Sequence, residues 1–298
     1  MRIGSRPIYT QQGHSFVQQG PHVMVYSKLY DEEFEAPATA APAPATAEEP
    51  IATVIQQGQH TLVWKEPLVD GDTKIEPGSL NLYKYPDAYG GKELVLLRSV
   101  LLGLAKTHCF HNTDACGACP IHALVVSNSE SSLELAMDIF EKVPTLLLQT
   151  HASGPFTGEG VLHILCVNRR EEEAIRVVEL ALAQLSEEDV RHVLRTQATG
   201  PFFAGPPMSK YGESPLSYAC VFGLRALLEK MVATRMVSLD EEAGALSGFL
   251  PLHVAVANGL ADMCDFLVDL GADLQGLHRA RSPHCVRSLF SLWRVPHV

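Results

Sequence analysis

Four short stretches of this chain begin alike, and their recurrence limits the folds open to it. They read CPIH at 119–122, GVLH at 160–163, SPLS at 214–217 and LPLH at 250–253, at intervals of 41, 54 and 36 residues. Each opens a short apolar stretch, then a break, then a second amphipathic run: ELAMDIFEKV, EEAIRVVELALAQL, RALLEKMVAT and ADMCDFLVDL. Helices of about 8–12 residues do not persist alone in water. A repeat of two such helices buries its apolar faces only against neighbouring copies, so the pattern predicts a stacked array.

The physics of each start is local. Pro120, Pro215 and Pro251 stand at the first helical position. There the missing N–H has no intrahelical partner and φ is already set for helix. Ser214, just before Pro215, is placed to cap. Leu162 and its equivalents face inward, and His122, His163, Ser217 and His253 are placed to bond loop backbone. In the fourth unit, Gly259 ends the first helix in the left-handed conformation and Gly271 ends the second.

Before the third unit the period stretches around TGPFFAGPPMSKYGE, residues 199–213. This segment has no hydrophobic period, and it is rich in glycine, proline and aromatic residues. It reads as an elongated finger between repeats. Packing of Phe202, Phe203 and Tyr211 on one another would offset the entropy of ordering so long a loop. With Glu213 they are also expected to form a finger-loop binding surface, since aromatic residues are the usual anchors of such surfaces.

Upstream, GKELVLLRSVLLGLAKTH from 91 has apolar residues at helical spacing. APATAAPAPATAEEP at 36–50 reads as an extended linker that cannot bury enough apolar area to fold. On either side of it lies an echo: QQGPHVMVYSKLYD at 18–31 resembles QQGQHTLVWKEPLVD at 56–70. Short strands are expected there, and the echo is read as a duplicated recognition peptide, as chance, or as a β-ribbon packing on the residues downstream. The expected divisions are 1–35 irregular, 36–50 linker, 51–91 irregular with short strands, 92–274 repeats and 275–298 a basic tail.

The net charge of −11 argues against a nucleic-acid surface. Seven cysteines form no regular framework, and Cys166, Cys220 and Cys264 fall inside apolar helical patterns, which fits a reducing compartment. The greasiest run, 94–105, is 12 residues long and contains Arg98. It falls short of the roughly 18–20 apolar residues that cross a bilayer. HCFHNTDACGACPIH at 108–122 admits three readings. Cys109, His111, Cys116 and Cys119 could hold zinc, form a redox-active pair, or be ordinary loop thiols. Motifs for phosphate cradling, metalloprotease chemistry or a nucleophile elbow are absent, so no catalysis and no cofactor are expected. The acidic runs 171–173 and 187–189 stand at helix starts, where they complement the dipole.

The fourth unit resembles the ankyrin repeat family through Pro251, Leu252, His253, Ala255, Gly259, Gly271, Ala272 and Asp273. The second unit departs from it, with Arg169 where the pattern has Gly. A narrower resemblance is to the N-terminal cytosolic ankyrin domain of vanilloid-type transient receptor potential channels. It rests on Gly158, Leu162, His163, Ile164, Arg169 and Arg170, then on Gly200, Phe202, Phe203, Tyr211, Gly212, Glu213, Pro215, Leu216, Ser217, Ala219 and Cys220. It covers about residues 115–274. The family usually has six repeats; four are legible here, or five if 92–110 is a degenerate one.

The resemblance implies an all-α ankyrin solenoid with finger loops. It also implies a cytosolic regulatory and assembly role in a calcium-permeable cation channel of the plasma membrane, with neighbouring subunits of a homotetramer as partners. The pore region is missing from this chain, and the family's nucleotide and calmodulin-type contacts are not matched. A soluble ankyrin adaptor is the alternative. The tail, with Arg279, Arg281, Arg287 and Arg294 beside Leu289, Phe290 and Trp293, reads as a membrane-facing segment or as the end of a truncated product.

Overall fold

The computed structural model describes residues 7–11, 14–19, 22–24, 52–55, 59–86, 88–205, 208–240 and 248–273. The Ala/Pro linker and the basic tail lie outside the described residues. The chain divides into two units, Met1–Leu146 and Leu147–Val298, so the boundary falls inside the span expected to hold repeats.

The first unit carries strands upstream of the helices. Strands β1 (Pro7–Gln11), β2 (His14–Gln19) and β3 (His22–Met24) form an antiparallel sheet in chain order. A second antiparallel sheet has the order β4 (Ala52–Ile55), β5 (Thr61–Trp64), β8 (Gly78–Asn81). The hairpin β6 (Leu68–Asp70) and β7 (Thr73–Ile75) is inserted between the last two. Side chains alternate across a strand. Ala52 and Val54 of β4, Leu62 and Trp64 of β5 and Leu80 of β8 are therefore buried, with their neighbours turned outward. The Trp64 indole N–H donates to the Glu76 carbonyl at 2.7 Å.

Helix α1 (Gly91–Leu104) buries Leu96, Leu97 and Leu101. It is a single helix, not the paired unit a degenerate repeat requires. The first repeat comes next as α2 (Pro120–Ser127) and α3 (Glu130–Lys142). Ser129 and Ser132 cap α3 reciprocally. On the outer side of this unit Arg98 donates to Glu134 and Asp138.

The second unit holds three more helix pairs: α4 (Val161–Val167) with α5 (Glu171–Gln184), α8 (Pro215–Phe222) with α9 (Arg225–Ala233), and α10 (Pro251–Ala257) with α11 (Ala261–Asp269). Between the first two pairs lie α6 (Glu187–Arg195) and the single turn α7 (Pro201–Ala204). Helix α8 packs between α4 and α10, and α5 packs on α9, so first helices meet first helices and second meet second. Glu171, from the acidic run, accepts the Leu227 amide of α9 at 3.1 Å. No helix among the described residues is long and apolar enough to cross a membrane.

One backbone detail marks all four pairs. The eighth residue after each helix start has positive φ: Asn128 at 56°, Arg169 at 56°, Gly223 at 76° and Gly259 at 69°. The left-handed turn is what brings the second helix back along the first. Gly271 ends the fourth pair at φ 106°. Arg169 is exposed and fills the turn with a residue that resists it. Arg169→Gly is therefore expected to stabilise the chain by about 1 kcal/mol. A urea titration reads this directly, and an unchanged midpoint would show that the turn carries no strain.

Candidate functional site: two interlocked loops

The residues at each helix start do as their types dictate. The ring Nδ1 of His122, His163 and His253 accepts the backbone N–H of Cys119, Gly160 and Leu250 at 3.0, 3.1 and 2.9 Å. Ser217 Oγ does the same for Ser214 at 3.1 Å. With Nδ1 accepting, the proton of His163 sits on Nε2, which donates to the Glu213 carbonyl at 2.8 Å. Thus one buried imidazole closes its own helix start and holds the residue before the next one.

Glu213 ends the long insert, and its carbonyl also accepts the Ala198 N–H at 2.9 Å, closing the loop 196–214 at its base. A second loop, 149–160, is closed by His151 N–H to Glu159 and Gly158 N–H to His151, at 2.8 and 2.9 Å. The two loops are joined backbone to backbone. Thr199 and Gly200 both donate to Thr157, and Phe202 donates to Pro155, at 2.9, 3.0 and 3.1 Å. Only glycines permit this approach. A Cβ on Gly158 would lie 2.0 Å from the Gln197 carbonyl oxygen, and one on Gly200 would lie 2.2 Å from that of Pro155.

Aromatic rings fill the space beneath. Phe156 meets Phe202 at 5.0 Å and Phe203 at 6.3 Å; Phe203 and Tyr211 reach Tyr218 of α8 at 6.4 and 6.3 Å; Tyr211 also meets Phe222 at 5.8 Å. Most of these pairs are tilted or edge-to-face, the arrangement the ring quadrupole favours. The expected binding surface is corrected accordingly. Phe203, Tyr211 and Glu213 are buried in this staple, and Phe202 is half-buried. Rings of that size gain more from covering one another and α8 than from facing water.

The polar groups below are also enclosed. His151 and Glu159 are fully buried with Nδ1 and Oε2 3.7 Å apart. Burial, together with the Glu159 and Glu213 carboxylates, holds the Tyr218 phenol well above its usual range. Burial pushes the His163 imidazole down to about 4, with His151 adding to the effect. Among the described residues, those the loops leave exposed are small and neutral: Ala152, Ser153, Gly154, Pro155, Thr199, Pro201 and Ala204, beside the half-buried Phe202. Such a surface can make shape-matched contact.

The cysteine-rich segment gives a different outcome. Cys109 lies in the short turn His108–His111, the Cys119 thiol lies 3.9 Å from the His111 carbonyl, and Cys116 stands beside Asp114. Among the described residues no three His, Cys, Asp or Glu side chains are grouped to hold a metal ion. Burial, with the Asp114 charge, pushes the Cys116 and Cys119 thiols up to about 11 and about 12, a direction that disfavours the thiolate. Cys166 and Cys220 are buried thiols in helices.

Sequence reading missed a network in the first unit. Asp114 Oδ1 accepts the N–H groups of Cys116 and Ala118, and Oδ2 accepts the Tyr83 hydroxyl at 2.6 Å. His60, fully buried, donates from Nε2 to the Ala118 carbonyl at 2.5 Å. The signal was the echo around His60, which the periodicity marked only as strand.

No curated protein matches the chain. A family model described as ankyrin repeat matches residues 247–276, the fourth helix pair and its flanks, and this supports an ankyrin repeat protein.

Proposed function

We propose that the chain is a non-catalytic interaction module that holds a protein partner on its interlocked loops. Ankyrin repeats generally mediate protein–protein contact. The observation that carries the reading is the division within the loops: an aromatic, backbone-locked interior beneath a small, neutral exterior around Phe202. A surface ordered in advance loses little entropy on binding. Ala152 and Ala204 are exposed, so A152E and A204E place charge on this exterior without touching the staple. The pair of substitutions is expected to abolish partner capture in a pull-down with the melting temperature unchanged. Retained capture by the doubly charged variant would move the partner site elsewhere.

The finer reading rests on the resemblance. The chain is proposed as the cytosolic regulatory and assembly domain of a vanilloid-type, calcium-permeable cation channel. It would lie on the cytosolic face of the plasma membrane and meet neighbouring subunits of a homotetramer. What supports this is that the matching residues are not scattered. Gly158, Gly200, Phe202, Phe203, Tyr211 and Glu213 all belong to the two interlocked loops, and Ser217 to the helix they close upon. Reading the transcript beyond the codon for Val298 decides it. Six apolar segments with a pore loop would establish the channel, and a stop with none in reach would leave the soluble adaptor.

A further inference from the structure

The His60 bond repeats, just before a strand, what His163 does in a helix pair. His163 Nε2 holds the carbonyl of Glu213, one residue before the Ser214 cap of α8. His60 Nε2 holds the carbonyl of Ala118, one residue before the Cys119 cap of α2. The β4–β5 hairpin thus occupies the seat that a preceding repeat would fill, as the terminal cap a repeat array requires. Its inward face is made of Ala52, Val54, His60, Leu62 and Trp64, all buried.

The β2–β3 hairpin repeats that pattern in sequence and register. Val17 stands opposite Met24, and Gln19 opposite His22. In the seated hairpin Val54 stands opposite Leu62. Directly opposed residues share one face of an antiparallel pair. By register, Ser15, Val17, His22 and Met24 therefore match Ala52, Val54, His60 and Leu62, and Tyr26 comes later in the sequence at the spacing of Trp64. The match is His for His, Val for Val, Met for Leu and Tyr for Trp, with Ser in place of Ala.

We propose that the His14–Met24 hairpin is a second cap for the same seat, exchanging with Ala52–Trp64 on the Ala118–Pro120 end of α2 within one chain. The sequence places 27 residues between Met24 and Ala52, a length whose full extension of about 90 Å far exceeds the size of one hairpin, so either hairpin is within reach of the seat in the same chain. The Ala52–Trp64 hairpin is the resident, because β5 also pairs with β8 and Trp64 bonds Glu76. Weakening it lets the other in.

Hydrogen exchange on the full chain tests this, reading peptides over residues 14–24 and 116–124, with 214–224 as a control for folding. Leu62→Ala is expected to keep 116–124 protected and to raise protection of 14–24 by about tenfold or more. Adding His22→Ala is expected to remove both protections. Where Leu62→Ala fails the folding control, Trp64→Phe, which removes the bond to Glu76 and part of a buried ring, gives the same comparison. Loss of protection at 116–124 with no gain at 14–24, or no effect of His22→Ala in the weakened background, overturns the proposal. A protection gain that depends on protein concentration overturns it too, since exchange within one chain does not.

Discussion

Gly158→Ala is expected to unlock the two loops and cost about 3–5 kcal/mol of stability, near the upper end for a single substitution. Two effects add at this position. Gly158 has φ +83°, where a Cβ costs about 1–2 kcal/mol by itself. The new Cβ would also stand 2.0 Å from the Gln197 carbonyl oxygen, and that atom is main chain, so it cannot swing aside. Relief requires the loops to part, which breaks the bonds of Thr199, Gly200 and Phe202 to Thr157 and Pro155. At about 0.5–1.5 kcal/mol each, these supply the remainder.

Two comparisons isolate the causes. Gly223 has φ +76° but open space around its Cβ position, so Gly223→Ala reads the strain alone, about 1 kcal/mol. Gly200 is not in the left-handed region, and Gly200→Ala reads the collision alone. The pair Gly158→Ala with Gly200→Ala should fall well short of the sum, because both open the same seam. Urea midpoints give the energies, and faster amide exchange at Thr199, Gly200 and Phe202 locates the damage. If Gly158→Ala costs no more than Gly223→Ala, the loops are not locked in solution.

The repeat was legible because its determinants are local. Proline at the first helical position, a His or Ser three residues after the cap, and glycine at the left-handed turn each act within one turn of helix. The same logic explains Arg169: the sequence showed a missing glycine, and the backbone shows the left-handed turn kept regardless, at φ 56°. The insert 199–213 was legible as a loop whose aromatic residues pack together. Its burial was not, because it depends on Thr157 and Pro155, some 40 residues away, and no local period encodes backbone bonds at that range. For the same reason Phe203, Tyr211 and Glu213 read as surface when they are interior. The strands at 52–81 alternated as strands do. That His60 would act there as a repeat's histidine depended on Ala118, 58 positions on.

Acid is expected to loosen the second unit through His163. Its imidazole is fully buried, with Nδ1 accepting from Gly160 and Nε2 donating to Glu213, so a second proton would have to displace an existing bond. Burial accordingly holds its pKa at about 4 in the folded chain, against 6.5 for an exposed histidine. A lowered folded value means that the unfolded chain takes up the proton first. The stabilising contribution is therefore complete above pH 6.5 and drains away as pH falls to about 4, below which both states are protonated. The full drop is about 3 kcal/mol. Other groups titrate over this range, so the measurement is a difference. His163→Gln loses the cross-repeat bond and is less stable than the parent at pH 7, and the gap is expected to close by about 3 kcal/mol between pH 7 and pH 4. A gap that stays constant across that interval would mean that the folded chain protonates His163 as readily as the unfolded one. The bond to Glu213 would then not hold the two helix pairs together.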